Sequence, residues 1–114
     1  MKQQILDVIR SLGGSGVSFV ELQNRIDGFR NDGEGGWVYG DTQKNLLFWF
    51  NMSEGAVEAL EELIRTKQVL LEPTNPLVYM IDGAIPNVPI AKQDRAYRSE
   101  RWVPVTLKLG DTQP

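Results

Sequence analysis

The chain has 114 residues, a length that suits one domain. It contains neither cysteine nor histidine, which excludes disulfides, zinc sites built from Cys and His, and catalytic triads with an imidazole base. Hydrophobic residues make up 41% and charged residues 24%, as in globular proteins rather than disordered or membrane proteins. The net charge of −3 argues against a protein whose whole surface binds nucleic acid.

The N-terminal residues contain no uninterrupted apolar stretch of signal-peptide length. No apolar run is longer than five residues, the length of the run from Leu46 to Phe50, which is far shorter than the ~20 residues of a membrane span. We therefore expect a soluble cytoplasmic protein.

The first two predicted elements are amphipathic helices. In the first, apolar residues follow helical spacing, and the glycine-rich residues 13–16 end it; these apolar residues are Ile5, Leu6, Val8, Ile9 and Leu12. The second begins with a capping box formed by Ser18 and Glu21. Its buried side is predicted to carry Phe19, Leu22, Ile26 and Phe29, and Gly28 with the loop at residues 30–36 ends it.

Residues 37–50 are rich in aromatic and strand-favouring side chains, with Gly40-Asp41-Thr42 between two runs. This pattern favours a β-hairpin. A short helix capped by Thr42 is the alternative, because a brief apolar run fits either a strand or a buried helix.

A third helix is predicted at Ser53–Gln68, with Ser53 as its N-cap. Its apolar residues share one side, whereas the other side carries Glu54, Glu58, Glu61, Glu62 and Arg65. Glu61 and Arg65 have the spacing of an ion pair along a helix.

The C-terminal half is predicted to contain three strands. Residues 69–72 and 77–83 are expected to form a hairpin around the turn at residues 73–76. The chain from residue 84 is expected to run extended over the surface. Residues 102–108 are then predicted to form a strand at a sheet edge, because Pro104 cannot donate to a β-ladder.

This order of three helices and a two-stranded hairpin resembles the winged helix-turn-helix fold over residues 2–83. The predicted fold class is therefore α+β: a winged-helix-like domain at residues 1–83, with a small antiparallel hairpin, and an extended C-terminal segment at residues 84–114 packed on the same domain. The resemblance implies that Ser53–Gln68 is a recognition helix, that the loop Glu72–Pro76 is the wing, and that the protein binds DNA. Some twenty residues separate the second and third helices, where the family has a short turn.

The charges on the predicted recognition helix oppose DNA docking, because duplex affinity comes largely from neutralised phosphates. The basic side chains lie instead in residues 91–108. This segment contains five cations and two acidic residues, Asp94 and Glu100, and therefore has a net charge of +3. Tyr97 and Trp102 are interleaved with them, a combination that binds phosphates and stacks on bases. Alternatively, the charges solvate an extended segment while the two aromatic residues anchor it. The candidate nucleic-acid or partner-binding residues are Lys92, Arg95, Tyr97, Arg98 and Arg101, with Arg65 and Lys67 from the third helix.

The apolar residues Phe48, Trp49 and Phe50 must be buried in the core or in an interface. Core burial is the general expectation, and a homodimer contact is the alternative. The acidic third helix equally suits a basic protein partner.

No pattern for catalysis is present. Residues 13–18 lack the lysine of a P-loop, residues 33–36 lack the third glycine of a dinucleotide fingerprint, and the acidic residues lack the spacing of a calcium loop. We expect no enzyme activity, no cofactor, no metal and no small-molecule substrate. The leading hypothesis is a DNA-binding transcription regulator of winged-helix type; the alternative is a protein-interaction or dimerisation module that does not bind DNA.

Overall fold

The computed structural model describes residues 1–33, 35–93 and 95–111. Glu34, in the loop predicted at residues 30–36, and Asp94, in the basic segment at residues 91–108, lie outside the described residues, as do residues 112–114. The fold is a compact mixture of helices and small sheets. Its helices are α1 (Lys2–Ser11), α2 (Phe19–Arg25), α3 (Glu54–Arg65) and α4 (Leu77–Asp82). Its strands are β1 (Trp37–Asp41), β2 (Leu46–Met52), β3 (Val69–Pro73), β4 (Arg101–Trp102) and β5 (Val105–Leu109).

The three predicted helices are present, and their N-caps follow from the sequence. The Ser18 Oγ accepts a hydrogen bond from the Glu21 N–H at 3.3 Å, and the Ser53 Oγ accepts one from the Ala56 N–H at 3.1 Å. In a capping box the carboxylate also accepts from the backbone N–H of the N-cap residue; here the Glu21 carboxylate accepts instead from the Arg25 Nε at 2.8 Å, so only the Ser18 half of the predicted box is formed. Helix α2 also ends earlier than expected.

The predicted hairpin at residues 37–50 is confirmed. Strands β1 and β2 are antiparallel, with Tyr39 opposite Trp49 and Gly40 opposite Leu47. A side chain at Gly40 would collide with the Leu46 carbonyl oxygen, so the close approach of the strands requires glycine there. Asn45 completes the turn with a φ of 56°.

The predicted second hairpin is wrong in its second strand. Residues 77–82 form helix α4, which begins where the Asn75 Oδ1 accepts from the Leu77 N–H at 2.9 Å and ends at Gly83 with a φ of 101°. Strand β3 pairs instead with β5, with Leu71 opposite Leu107 and Pro73 opposite Val105. The partner strand thus comes from beyond residue 83, the predicted boundary between the domain and its extension.

The predicted strand at residues 102–108 is divided into two, β4 and β5, and each is the outermost strand of its sheet, as expected from Pro104. Strand β4 pairs in parallel with β2 in a sheet of order β1-β2-β4, whereas β5 pairs with β3. On its other side β5 meets Val17, which exchanges backbone hydrogen bonds of 3.2 and 2.7 Å with Leu107. Pro104 lies between the two strands, so the missing N–H interrupts neither ladder.

The core lies between the helices and the two sheets, and its aromatic part is built around Tyr79 of α4. The Tyr79 hydroxyl accepts from the Phe19 N–H at 3.1 Å and donates to the Val105 carbonyl at 2.5 Å. Its ring contacts Trp49, at 5.1 Å between centroids, and Trp102, at 5.2 Å. Tyr79 thereby joins α2, β2, β4 and β5. None of the helices in the described part of the chain has the length and apolar character needed to cross a bilayer.

Candidate functional site

The predicted basic segment folds into a loop that is closed at its base by backbone hydrogen bonds. The Ala91 N–H donates to the Trp102 carbonyl and the Trp102 N–H donates to the Pro89 carbonyl, both at 2.8 Å. The Arg101 N–H donates to the Asn45 carbonyl at 2.8 Å, which ties the loop to the β1–β2 turn. We call the five side chains that this loop brings together the Tyr97 cluster: Lys92, Arg95, Tyr97, Arg98 and Arg101.

Tyr97 is held in place at both its backbone and its hydroxyl. Its N–H donates to the Lys44 carbonyl at 3.0 Å, and its carbonyl accepts from the Asn45 Nδ2 at 2.8 Å. Its hydroxyl accepts from the Lys92 and Gln93 N–H groups, each at 3.1 Å. Tyr97 is therefore a fixed point around which the loop folds, although it lies near the surface.

The ring of Tyr97 positions two guanidinium groups. The Arg95 Cζ lies 4.3 Å from the ring centroid and the Arg101 Cζ lies 5.1 Å from it. Both distances suit cation–π attraction, which restricts the side chains without neutralising them. The ring thus organises cations.

The surroundings of Tyr97 also shift the pKa of its phenol. Desolvation acts to raise the pKa of Tyr97, but the Gln93 and Lys92 backbone donors and the charges of Arg95 and Arg101 outweigh it, so the pKa lies below its usual value. The environment around the phenol therefore favours negative charge.

The arginines of the cluster have no acidic partner among the described residues. By contrast, three cations elsewhere in that part of the chain form ion pairs, with N–O distances of 3.4 Å for Arg10 and Asp7, 2.8 Å for Arg25 and Glu21, and 3.0 Å for Lys108 and Glu72. The Arg101 Nε is buried and has no hydrogen-bond partner within the described residues. Because buried donors are normally satisfied, this side chain is suited to bind an anion.

Two neighbouring grooves run past the cluster. One of about 500 Å³ is lined by Arg95, Arg98 and Arg101 around Tyr97, and one of about 300 Å³ is lined by Lys92, Arg95 and Arg101. A phosphate or carboxylate placed in either groove meets several cations at once. The arrangement can bind anions, and no group of three or more acidic side chains in the described residues is placed to hold a metal ion.

The remaining predicted binding residues lie elsewhere. Arg65 and Lys67 are at the C-terminal end of α3, and neither lines the two grooves. The predicted pair of Glu61 and Arg65 is wrong, because the Arg65 Nη2 lies 2.6 Å from the Glu62 Oε2. This hydrogen bond lowers the pKa of Glu62 and raises that of Arg65.

Of the three aromatic residues predicted to lie in the core or in a dimer contact, one is in the core and two are half-buried at its edge. Trp49 is 1% exposed and stacks on Phe19 with 5.7 Å between ring centroids. Phe48 and Phe50 are half-buried against the same core. Trp102, predicted either to stack on bases or to anchor the segment, is 2% exposed and serves as the anchor.

The sequence reasoning missed the contribution of the β1–β2 turn. Lys44 and Asn45 provide the backbone and amide groups that hold Tyr97, yet Asn45 is 52 residues away along the chain. No local pattern connects them. Comparison with known proteins finds no matching family model, no matching curated protein and no matching solved structure.

Proposed function

We propose that the protein is a non-enzymatic DNA-binding module of winged-helix type that contacts the DNA phosphates through the Tyr97 cluster. The observation that carries this proposal is the group of three arginines, Arg95, Arg98 and Arg101, held together around one tyrosine without an acidic partner among the described residues. Guanidinium groups bind phosphate oxygens in a bidentate manner, and such contacts position a protein on DNA.

The connection of the elements supports a winged-helix relationship. Three helices precede β3, and β5 lies between β3 and Val17, which sits between α1 and α2. In the fold that the sequence resembles, the segment that joins the two paired strands is the wing. We therefore propose residues 74–104, which join β3 to β5, as the counterpart of the wing in place of the shorter loop Glu72–Pro76; they contain α4 and the whole Tyr97 cluster. This proposed wing is long and carries the cations of the Tyr97 cluster.

The charges on α3 favour contact through this long wing. Glu54, Glu58 and Glu61 are exposed on α3, and Arg65 at its end is paired with Glu62. Acidic side chains repel the phosphates that flank the major groove. We therefore propose that the wing, rather than α3, makes the main DNA contact.

A salt series tests the proposal. Each phosphate contact contributes about −0.9 to the slope of log affinity against log salt concentration, so three arginines account for about −2.7. We expect the variant with Arg95→Ala, Arg98→Ala and Arg101→Ala to lose most duplex affinity and about that much slope, as measured by fluorescence anisotropy.

The matched control replaces three cations that are already paired, through Arg10→Ala, Arg25→Ala and Lys108→Ala. Both triple variants have the same net charge, so the control isolates location from total charge. Equal loss of affinity in the two variants, or no duplex binding by the wild-type protein at low salt, contradicts the proposal. Because Arg101 is partly buried, its substitution affects the packing of the loop as well as the charge. The double variant Arg95→Ala, Arg98→Ala keeps Arg101 in place and so separates these two effects.

The second candidate function is a dimerisation module, and an exposed apolar face of α4 favours it. Leu77, Met80 and Ile81 are 55%, 60% and 82% exposed, and their spacing places them on one face of the helix. The Asp82 carboxylate accepts from the Ser18 Oγ at 2.6 Å, so its charge is turned away towards α2. A second copy supplies the same uncharged face, as a two-fold contact requires.

Light scattering distinguishes this second candidate. It predicts a dimer at micromolar concentration that Ile81→Asp converts to a monomer, whereas Glu58→Gln on the exposed side of α3 leaves the dimer intact. A wild-type protein that is monomeric throughout contradicts it.

A further inference from the structure

An apolar groove of about 500 Å³ lies between the two sheets. Leu46 and Phe48 of β2 form one wall, and Leu71 and Pro73 of β3 with Val105 of β5 form the other. Seven of its nine lining residues are apolar; the two polar ones are Lys92 and Gln93, from the start of the basic loop. Small-molecule sites combine this size with an apolar lining and few polar groups.

The polar end of the groove opens onto the Tyr97 cluster. Lys92 and Gln93 line both the apolar groove and the adjoining cationic groove, which continues to Arg95 and Arg101. The backbone of Lys92 is held at this junction, because its N–H donates to the Tyr97 hydroxyl at 3.1 Å. In the described residues no carboxylate forms an ion pair with the Lys92 ammonium.

We propose that this groove binds an amphipathic organic anion, with its hydrocarbon body between the sheets and its carboxylate or other acidic group at Lys92. The charge pattern identifies this class. An uncharged hydrocarbon supplies no anion for the Lys92 ammonium, which forms no ion pair with a described carboxylate, and a nucleic-acid backbone has no apolar part to fill the groove. The groove shares Lys92 with the Tyr97 cluster, but its apolar lining distinguishes it from the proposed DNA contact, which is carried by Arg95, Arg98 and Arg101.

The probes are decanoate and 1-decanol, which share a hydrocarbon chain and differ in charge. Titrated below their aggregation concentrations and followed by calorimetry, decanoate is expected to bind saturably and at least tenfold more tightly than decanol. Lys92→Ala is expected to remove most of that difference. The control Lys108→Ala removes a lysine paired with Glu72 on the same sheet and is expected to retain it.

A second variant tests the apolar part. Ala91 lines the groove, so we expect the larger side chain of Ala91→Trp to occupy part of it and to lower decanoate binding at least tenfold, while circular dichroism and duplex affinity stay unchanged. Equal binding of decanoate and decanol, equal effects of Lys92→Ala and Lys108→Ala, or undiminished binding by Ala91→Trp overturns the proposal. A protein that binds duplex but not decanoate overturns this inference alone, and the reverse result overturns the proposed function alone.

Discussion

Two tyrosines organise two different regions of this protein. The hydroxyl of Tyr79 joins the backbones of Phe19 and Val105 in the core, and the hydroxyl of Tyr97 joins those of Lys92 and Gln93 in the basic loop. Tyr79 is surrounded by aromatic rings, whereas Tyr97 is flanked by guanidinium groups. The same type of side chain thus stabilises the fold in one region and, in the other, positions cations that have no acidic partner among the described residues.

The opposite directions of their pKa shifts express this difference. Burial raises the pKa of Tyr79, a hydrogen bond from Phe19 partly offsets it, and the charge of Asp82 adds to the rise. The pKa of Tyr97 is lowered, because backbone donors and arginines outweigh desolvation. An apolar region protects the neutral phenol, and a cationic region favours the anion.

The largest expected effect is the difference in the free energy of unfolding between variants at the two tyrosines. Tyr79→Ala leaves a cavity and two unsatisfied backbone groups, so we expect a loss of about 3–5 kcal/mol in the free energy of unfolding. Tyr97→Ala is expected to cost less than about 1 kcal/mol but to weaken duplex binding. Urea denaturation and anisotropy measure the two quantities. Comparable destabilisation by the two substitutions would break the comparison.

The next effect is a loss of stability at alkaline pH. Above about pH 10 the unfolded chain releases the Tyr79 proton while the folded protein retains it, so the free energy of unfolding falls by up to about 1.4 kcal/mol per pH unit. Tyr79→Phe removes this contribution and leaves every other titrating group in place. Urea denaturation at pH 9 and 11 should therefore show a smaller loss for the variant. Parallel losses in both proteins would contradict the account of Tyr79.

A smaller effect concerns Asn45, which holds Tyr97 from the turn of the first hairpin. Both Asn45→Ala and Asn45→Gly remove the 2.8 Å hydrogen bond to the Tyr97 carbonyl, but only glycine adopts the φ of 56° freely. The alanine variant should be about 1 kcal/mol less stable than the glycine variant. Both should lose similar duplex affinity. Wild-type affinity in the glycine variant would show that the hydrogen bond does not organise the cluster.

Helices could be predicted from the sequence where their apolar residues recur at helical spacing or where a serine marks the N-cap. Helices α1 and α3 have one apolar side, and Ser18 and Ser53 cap α2 and α3 as expected. The run at residues 77–82 was misassigned because five consecutive apolar residues have no distinct period. The informative signals were at its ends, where Asn75-Pro76 starts the helix and Gly83 stops it.

Long-range pairing could not be predicted from local patterns. Nothing in the sequence of β3 indicates that its partner is β5, more than thirty residues away, because a strand's alternation specifies a buried face and not a neighbour. The basic residues of the candidate site were found from composition. Their grouping around Tyr97 depends on Lys44 and Asn45, and their lack of acidic partners among the described residues is a property of the fold.

The most direct test of the central claim is an NMR titration of the protein with a duplex at low salt. It follows the arginine side-chain Nε–H signals together with the backbone amides of α3. Shifts of the Arg95, Arg98 and Arg101 side-chain signals, with the α3 amides unchanged, are the predicted result. Shifts of the α3 amides while those arginine signals stay in place would contradict the account.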